Sequence, residues 1–428
     1  MSLDGVAVDG TPERPKVGVV SVPWVGVPPK GQGSIAGKTH RLTEVLTDRF
    51  QFTIVGGSTG RAPDRAHPDI DYVPIPERLD KRYIDRVIGM GSRLAGRRRH
   101  LYHQVPYHPV YVRRAARVLR EAECSTVVVH EFPQWLPVLQ RVLPEARLIL
   151  WAGADSFIEI DGLLPYVDRA DALIGASRFL AERMAERAPR LADRTHVVYS
   201  GVDLARFHPG VAPRATDRIL YAGRITPEKG VHHLVDAFRV LAAQRPDLRL
   251  VLAGPPWITE PTLVPGLPAA ELAEITELAG VDYHAELLGR AGPAADRISM
   301  PGSLRGEDLV RCMQEATVFC HPVLCPEGFG AVVAEAMACG APTVVSERGA
   351  QTEYVLDGVS GVVSPAGDVA ALVAVLGELL DDAERRAELG RGARQIATER
   401  LDARVCATAF ADVLDGKAVP VGDLPAIA

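Results

Sequence analysis

One recurring unit sets the limits on this chain: a short apolar run, a turn, then a stretch with helical spacing. Lys16-Val-Gly-Val-Val-Ser-Val22 is apolar throughout, as strands are when a parallel sheet buries both their faces. A glycine-rich turn follows. Ile35, Leu42, Val45, Leu46 and Phe50 then recur at roughly helical spacing between Ser34 and Phe50, before a second strand, Gln51-Phe-Thr-Ile-Val-Gly. This is a βαβ unit. Apolar runs at Thr126–His130, Arg147–Trp151, Ala172–Gly175 and His196–Tyr199, with a helix over Ser177–Glu186, extend it into a doubly wound α/β domain.

The pattern then restarts. A Pro-, Gly- and Arg-rich stretch from His208 to Arg218 reads as a linker. After it, Ile219-Leu-Tyr-Ala-Gly223 opens a second strand-first unit, with a helix over Gly230–Gln244 and a strand over Leu248–Gly254. Strands near Val318–His321 and Pro342–Ser346 alternate with helices near Gly306–Ala316 and Gly330–Cys339. At 428 residues the chain exceeds what one core usually supports, so two domains are expected. The reading is a tail over 1–15, expected to be disordered, a Rossmann-like domain over 16–208, a linker over 209–218 and a second such domain over 219–395. Residues 396–428 are expected to form a helix crossing back to the first domain, then a tail. Two such domains in tandem predict a ligand cleft between the carboxyl ends of their sheets.

Several function classes are disfavoured. The net charge of -6 does not suit bulk nucleic-acid binding. The six cysteines (Cys124, Cys312, Cys320, Cys325, Cys339 and Cys406) form no CxxC pair, so free thiols in a reducing cytoplasm are expected. The N-terminus lacks a signal-peptide pattern, and no apolar run reaches the ~20 residues of a membrane span. The protein is therefore expected to be cytoplasmic, at most peripheral at the inner face of the membrane.

The most informative chemistry lies in His321-Pro-Val-Leu-Cys-Pro-Glu-Gly-Phe-Gly-Ala-Val-Val-Ala-Glu-Ala-Met-Ala-Cys-Gly-Ala-Pro342. Pro326-Glu-Gly-Phe-Gly predicts an irregular turn, and Ala331 onward a helix ended by Gly340. The N–H groups of Phe329, Gly330 and Ala331 would sit at a helix N-terminus, whose partial charge favours phosphate or an oxygen-rich sugar. Glu327 stands just outside that terminus. Glu335 lies two turns in, among apolar neighbours, where a carboxylate needs hydroxyl or N–H partners. Either glutamate alone could equally be a cap or a core-edge residue satisfied by backbone. In Leu220-Tyr-Ala-Gly-Arg-Ile-Thr-Pro-Glu-Lys-Gly230, Arg224 and Lys229 fall in a strand-to-helix loop. Two cations there can neutralise a diphosphate, although such loop cations are more often merely solvated.

Together these stretches resemble retaining glycosyltransferases of the GT-B fold, in glycosyltransferase family 4, the glycosyl-transferase group 1 family. Glu327 and Glu335 within PEGFGAVVAEAMACG match that family's Glu, seven residues, Glu motif, and GRITPEKG matches its G-R-(x)4-K-G motif. Further similar stretches are Asp171–Ser177, Ser200-Gly-Val-Asp203, Arg206–Pro209 and Ser364–Asp368. The resemblance spans about residues 16 to 400. It implies a GT-B architecture, two Rossmann-like domains facing across a cleft. It also implies a nucleotide-diphosphate-sugar donor, a UDP- or GDP-sugar, and a small-molecule, glycan or lipid-linked acceptor.

The resemblance further implies roles. Arg224 and Lys229 would hold the diphosphate, Glu327 the donor sugar near its anomeric centre, and Glu335 the ribose. Gly328, Phe329, Gly330 and Ala331 would contact sugar or phosphate. His130, at the end of a strand, matches a family histidine facing the sugar, although a lone strand-end histidine is as often structural. No Asp-x-Asp motif is evident, so no metal or other cofactor is expected. An epimerase of the same architecture, or a non-catalytic nucleotide-sugar-binding protein, are the alternatives. The first would not be expected to combine both motifs, and the second would have lost catalytic positions that are all present here.

Gly31-Gln-Gly-Ser-Ile-Ala-Gly-Lys-Thr-His40 superficially suggests a phosphate-binding P-loop, but neither Gly31 nor Gly33 has the four-residue spacing to Gly37 that such a loop needs. Gly33 instead fits the family's first-domain glycine turn, where backbone can approach the donor phosphate. Lys38 and Thr39 then read as ordinary positions of the first helix. The segment Arg78–Arg99 carries eight cations against Asp80 and Asp85. It reads either as a solvated arginine-rich helix or as a weak contact for an anionic bilayer or phosphorylated acceptor, and its narrow, glycine-broken apolar face favours the first.

Overall fold

Every strand pairing among the described residues is parallel, so each apolar run must reach its neighbour through a crossover. The structure is a computed structural model and describes residues 13–29, 34–58, 66–76, 80, 108–153, 161–210, 217–256 and 267–417. The chain divides into two units after Tyr199, and the segment from Cys406 rejoins the first. Among the described residues no helix is long and apolar enough to cross a membrane. All six cysteines are free, five of them buried.

In the first unit the strands β1 (Lys16–Val20), β2 (Gln51–Gly57), β3 (Ile70–Ile75), β4 (Thr126–His130), β5 (Arg147–Ala152), β6 (Ala172–Gly175) and β7 (Thr195–Val197) lie in the order β3-β2-β1-β4-β5-β6-β7. Val19 pairs with Ile54 on one side and Val128 on the other, which is why β1 has no polar face. The helix Pro109–Glu121 buries Tyr111, Val112, Ala115, Ala116 and Leu119, one continuous stripe. Each large apolar side chain so buried contributes roughly 1.5–3 kcal/mol against the entropy of ordering it. Asp80 caps this helix, accepting from the amides of Val110 (2.9 Å) and Tyr111 (2.8 Å). It is the only residue of the basic segment within the described residues; Arg78–Arg99 otherwise lies outside them. The returning segment packs Phe410 on Trp151, ring centroids 4.9 Å apart, and Arg147 donates to the Val413 carbonyl at 2.6 Å.

In the second unit β8 (Arg218–Ala222), β9 (Arg249–Ala253), β10 (Ile298–Gly302), β11 (Val318–His321), β12 (Thr343–Ser346) and β13 (Val362–Ser364) lie in the order β10-β9-β8-β11-β12-β13. The stretch 200–208, read from sequence as the end of the first domain, groups with this unit. The reason is local: Val202 exchanges backbone hydrogen bonds with Leu401 (2.7 Å) and Ala403 (3.0 Å), and Arg394 donates to the Phe207 carbonyl at 2.9 Å. Strands that the apolar pattern misses, β3, β10 and β13, all lie at sheet edges. There one face meets solvent and proline is tolerated, as at Pro74 and Pro301, so the continuous apolar signal is lost.

Candidate active site

In each sheet the chain leaves the first strand toward one edge and restarts beside it toward the other. The reversal falls between β1 and β4 in the first unit and between β8 and β11 in the second. Loops diverging at such a point leave a crevice at the strands' carboxyl ends.

In the second unit the loop after β8 carries Arg224 and Lys229. Tyr221, fully buried, donates its hydroxyl to the Arg224 carbonyl at 2.6 Å. Burial, and then the Glu327 carboxylate, hold that phenol well above its usual range, so it stays a donor. Residues Pro227–Lys229 form a single tight turn. The Glu228 carbonyl in that turn accepts from the amides of Leu324 (3.1 Å) and Cys325 (3.2 Å), which ties it to the loop after β11. That tie brings together two motifs almost a hundred residues apart: Lys229 Nζ forms an ion pair with Glu327 Oε1.

The pair is largely buried, with side chains 12% and 16% exposed. Burial alone would depress Lys229, but the Glu327 carboxylate overcomes it and holds the ammonium above the usual lysine range. Burial alone would likewise raise Glu327, and Lys229, then His321, bring it below the usual carboxylate range. His321 Nε2 stands 4.0 Å from Glu327 Oε1, and burial keeps this imidazole below its usual value. His321 Nδ1 is 2.9 Å from Gln351 Oε1, and the Gln351 amide donates to the Ser346 carbonyl at 2.6 Å, so the ring is fixed from behind. Arg224, 46% exposed, lies 3.6 Å from the buried Glu228 and leaves its guanidinium facing solvent.

Glu327 is positioned through its backbone. Its carbonyl accepts from Ala350 at 2.8 Å, and Gly349 runs beside it as a one-residue parallel bridge. Gly349 has φ +69°, and a Cβ there would collide with the backbone nitrogen and carbonyl of Glu327. Gly349→Ala is therefore expected to destabilise the protein by about 1–2 kcal/mol from the left-handed backbone alone. It should also displace the Glu327 backbone; a Gly349→Ala variant with unchanged melting temperature would show that this contact does not hold the loop.

The helix after this loop runs from Ala331 to Ala338, with Gly330 left-handed at its N-cap (φ 77°). The Tyr354 hydroxyl donates to the Phe329 carbonyl, with the Gly330 carbonyl 3.1 Å away. The carbonyls entering the helix are thus held at a buried phenol, while the amides of Ala331 and Val332, at its very start, have no intrahelical acceptor. Beyond Cys339, Gly340 and Ala341 bond back to Met337 (2.9 Å) and Ala336 (3.0 Å), which closes the helix where the glycine predicts. Glu335 is buried, 5% exposed.

The structure thus brings Arg224, Lys229, Glu327 and Gly328–Ala331 to one end of one sheet. Sequence reasoning missed their supports, Tyr221, His321, Gln351 and Tyr354. The one available signal was their polarity within apolar or strand-end positions.

In the first unit His130 ends β4 and is fully buried. Its Nε2 lies 2.7 Å from Thr39 Oγ1, its ring stacks on Trp151 at 5.1 Å, and its Nδ1 makes no hydrogen bond. Burial, then the charge of Lys38, hold this imidazole well below its usual range, so it is neutral. Lys38 and Thr39 require a correction. They do lie on the first helix, Ser34–Val45, but they are not ordinary positions on it: both are buried, 2% and 1% exposed. Lys38 Nζ sits 5.0 Å from the Trp151 ring centroid. Burial lowers it to about 8, with Glu131 opposing and Arg41 assisting. Their placement follows from helical period, since they lie four and three positions before buried Leu42. Gly33 lies outside the described residues.

A chain with two parallel sheets of this topology and such a loop pair falls in the GT-B class. The family model of the glycosyl transferases group 1 matches residues 209–396, less than half of the chain. The chain is 34% identical over 264 residues to the D-inositol 3-phosphate glycosyltransferase of Xylanimonas cellulosilytica, covering 58% of this chain and 57% of that one. It is 31% identical over 260 residues to a GDP-mannose-dependent alpha-(1-6)-phosphatidylinositol monomannoside mannosyltransferase of Mycolicibacterium smegmatis, covering 58% and 63%. Both matches take in less than two thirds of the relative's length. Among solved structures, sucrose-phosphate synthase from Thermosynechococcus elongatus shares the fold with a TM-score of 0.68 at 20% identity, over 94% of this chain and 99% of that one.

Proposed function

We propose that this chain is a retaining glycosyltransferase that takes a sugar from a nucleoside diphosphate donor without a metal ion. The observation that carries the reading is the buried Lys229–Glu327 pair at the point where the second sheet reverses its winding. As the C1–O bond of the donor breaks, negative charge grows on the diphosphate and positive charge on the sugar. Lys229, held protonated, and the exposed Arg224 neutralise the first. Glu327, held ionised, faces the second. The first amides of the helix beginning at Ala331 bind phosphate or sugar oxygens, and Glu335 binds the ribose hydroxyls. For His130, in the first unit, the role that the resemblance implies is that of a neutral hydrogen-bonding group for a sugar.

The names of the two relatives support a glycosyl donor and a hydroxyl acceptor on a small molecule or lipid-linked glycan. A thermal-shift screen of UDP-, GDP- and ADP-sugars tests the donor: the true one at a hundredfold its Kd stabilises the folded state by about 2.7 kcal/mol. Product anomeric configuration by NMR then tests retention. If no nucleotide sugar raises the melting temperature, the reading fails.

A further inference from the structure

The helix Val231–Ala242 begins directly after Lys229-Gly230, and its second and third residues are both histidines. His232 Nε2 lies 3.3 Å and His233 Nε2 3.4 Å from the same oxygen, Glu274 Oε1, and the two rings are 4.1 Å apart between centroids. Glu274 comes from a different helix, Ala269–Ala279. One donor atom from each of the three residues lies within 4.8 Å of the other two, and no other such trio occurs among the described residues.

His232 is fully buried and its Nε2 makes no hydrogen bond. The Tyr283 hydroxyl accepts the His232 backbone N–H at 3.1 Å and lies 2.8 Å from Nδ1. When Nδ1–H is donated to that hydroxyl, the Nε2 lone pair is left pointing toward a carboxylate oxygen. A lone pair facing a carboxylate is repulsive unless a cation stands between them. This is the arrangement in which a second group orients a metal-ligating imidazole.

The separations suit a small divalent cation. Zinc–nitrogen and zinc–oxygen bonds of about 2.0–2.2 Å in a tetrahedron set ligand atoms about 3.3–3.5 Å apart. The two edges to Glu274, 3.3 and 3.4 Å, match, and all three donor atoms lie within 4.8 Å of one another. Magnesium and calcium prefer oxygen ligands, whereas two imidazoles and a carboxylate suit a borderline ion. The Glu274 side chain is 35% exposed, which opens an entry path and a fourth position for water.

We propose that His232, His233 and Glu274 bind a divalent cation of the zinc type, which fastens the helix Ala269–Ala279 to the start of the helix that follows Lys229. The ion is structural and takes no part in the transfer chemistry assigned to Lys229 and Glu327. The test uses the full chain, free of a polyhistidine tag and stripped of metal, titrated with Co²⁺ alone and then Zn²⁺ alone. One equivalent of Co²⁺ is expected to bind with the visible absorption of a four-coordinate site, to be displaced by Zn²⁺, and to raise the melting temperature.

Glu274→Gln and His233→Asn are each expected to abolish that absorption. Tyr283→Phe, which removes only the orienting hydroxyl, should weaken zinc about 10–100-fold. Glu274→Gln changes a partly exposed side chain, so its metal-free melting curve should match wild type and separate lost binding from lost folding. Failure of wild type to bind one equivalent, or absorption that survives in both Glu274→Gln and His233→Asn, overturns the proposal.

Discussion

Lys229→Met is expected to lower kcat by roughly 10²–10³, the usual effect of removing one preorganised donor from a developing negative charge. It should also destabilise the protein by about 3 kcal/mol, because Glu327 is left largely buried without its partner. The two effects separate in a double variant. Lys229→Met with Glu327→Gln removes both charges, so much of the stability should return while turnover stays lost. A single Lys229→Met variant with wild-type turnover would sink the assignment.

The pair also predicts a pH dependence whose sign can be worked out. Glu327 is held below its ordinary value of 4.5, so its contribution is present above that value and is lost as pH falls through the folded-state value. Lys229 is held above its ordinary value of 10.5, so its contribution is present below that value and lost as pH rises through the folded-state value. Between these limits the contribution is constant. The gap in melting temperature between wild type and Glu327→Gln should therefore be flat near neutrality and narrow once pH drops below about 4.5.

His130→Ala is expected to lower kcat by roughly 10²-fold if the imidazole hydrogen-bonds the sugar in the transition state. Its pH behaviour distinguishes this role from proton transfer. Burial, then Lys38, keep His130 neutral well below the usual histidine range, so it does not titrate near 6.5. The kcat/KM profile should show no limb near that pH, and the His130→Ala profile should be parallel and lower. A limb near pH 6.5 in wild type that disappears in the variant would make His130 a general base instead.

The central strands were legible because a parallel strand buried on both faces must be apolar throughout, as Val19 between Ile54 and Val128 illustrates. The edges were not, since β10 exposes alternate residues and ends in Pro-Gly. At the site the chemistry-bearing side chains could be picked out by type and position: Arg224 and Lys229 in one strand-to-helix loop, Glu327 before one helix. Lys38 could not, because a lysine on a first helix ordinarily reaches solvent, and only its neighbours Trp151 and Glu131 make a buried ammonium tolerable.

Local periodicity and turn chemistry are thus enough to specify two parallel-sheet units, their strand-to-helix loops and the residue types those loops carry. Long-range packing was needed for the rest. It makes Lys229 and Glu327 neutralise one another, lets Gly349 and Tyr354 hold the Glu327 loop, and aims His232, His233 and Glu274 from two helices at one point. Those pairings join residues tens to a hundred positions apart. Sheet order and backbone register set them, and neither is encoded in any one stretch of the chain.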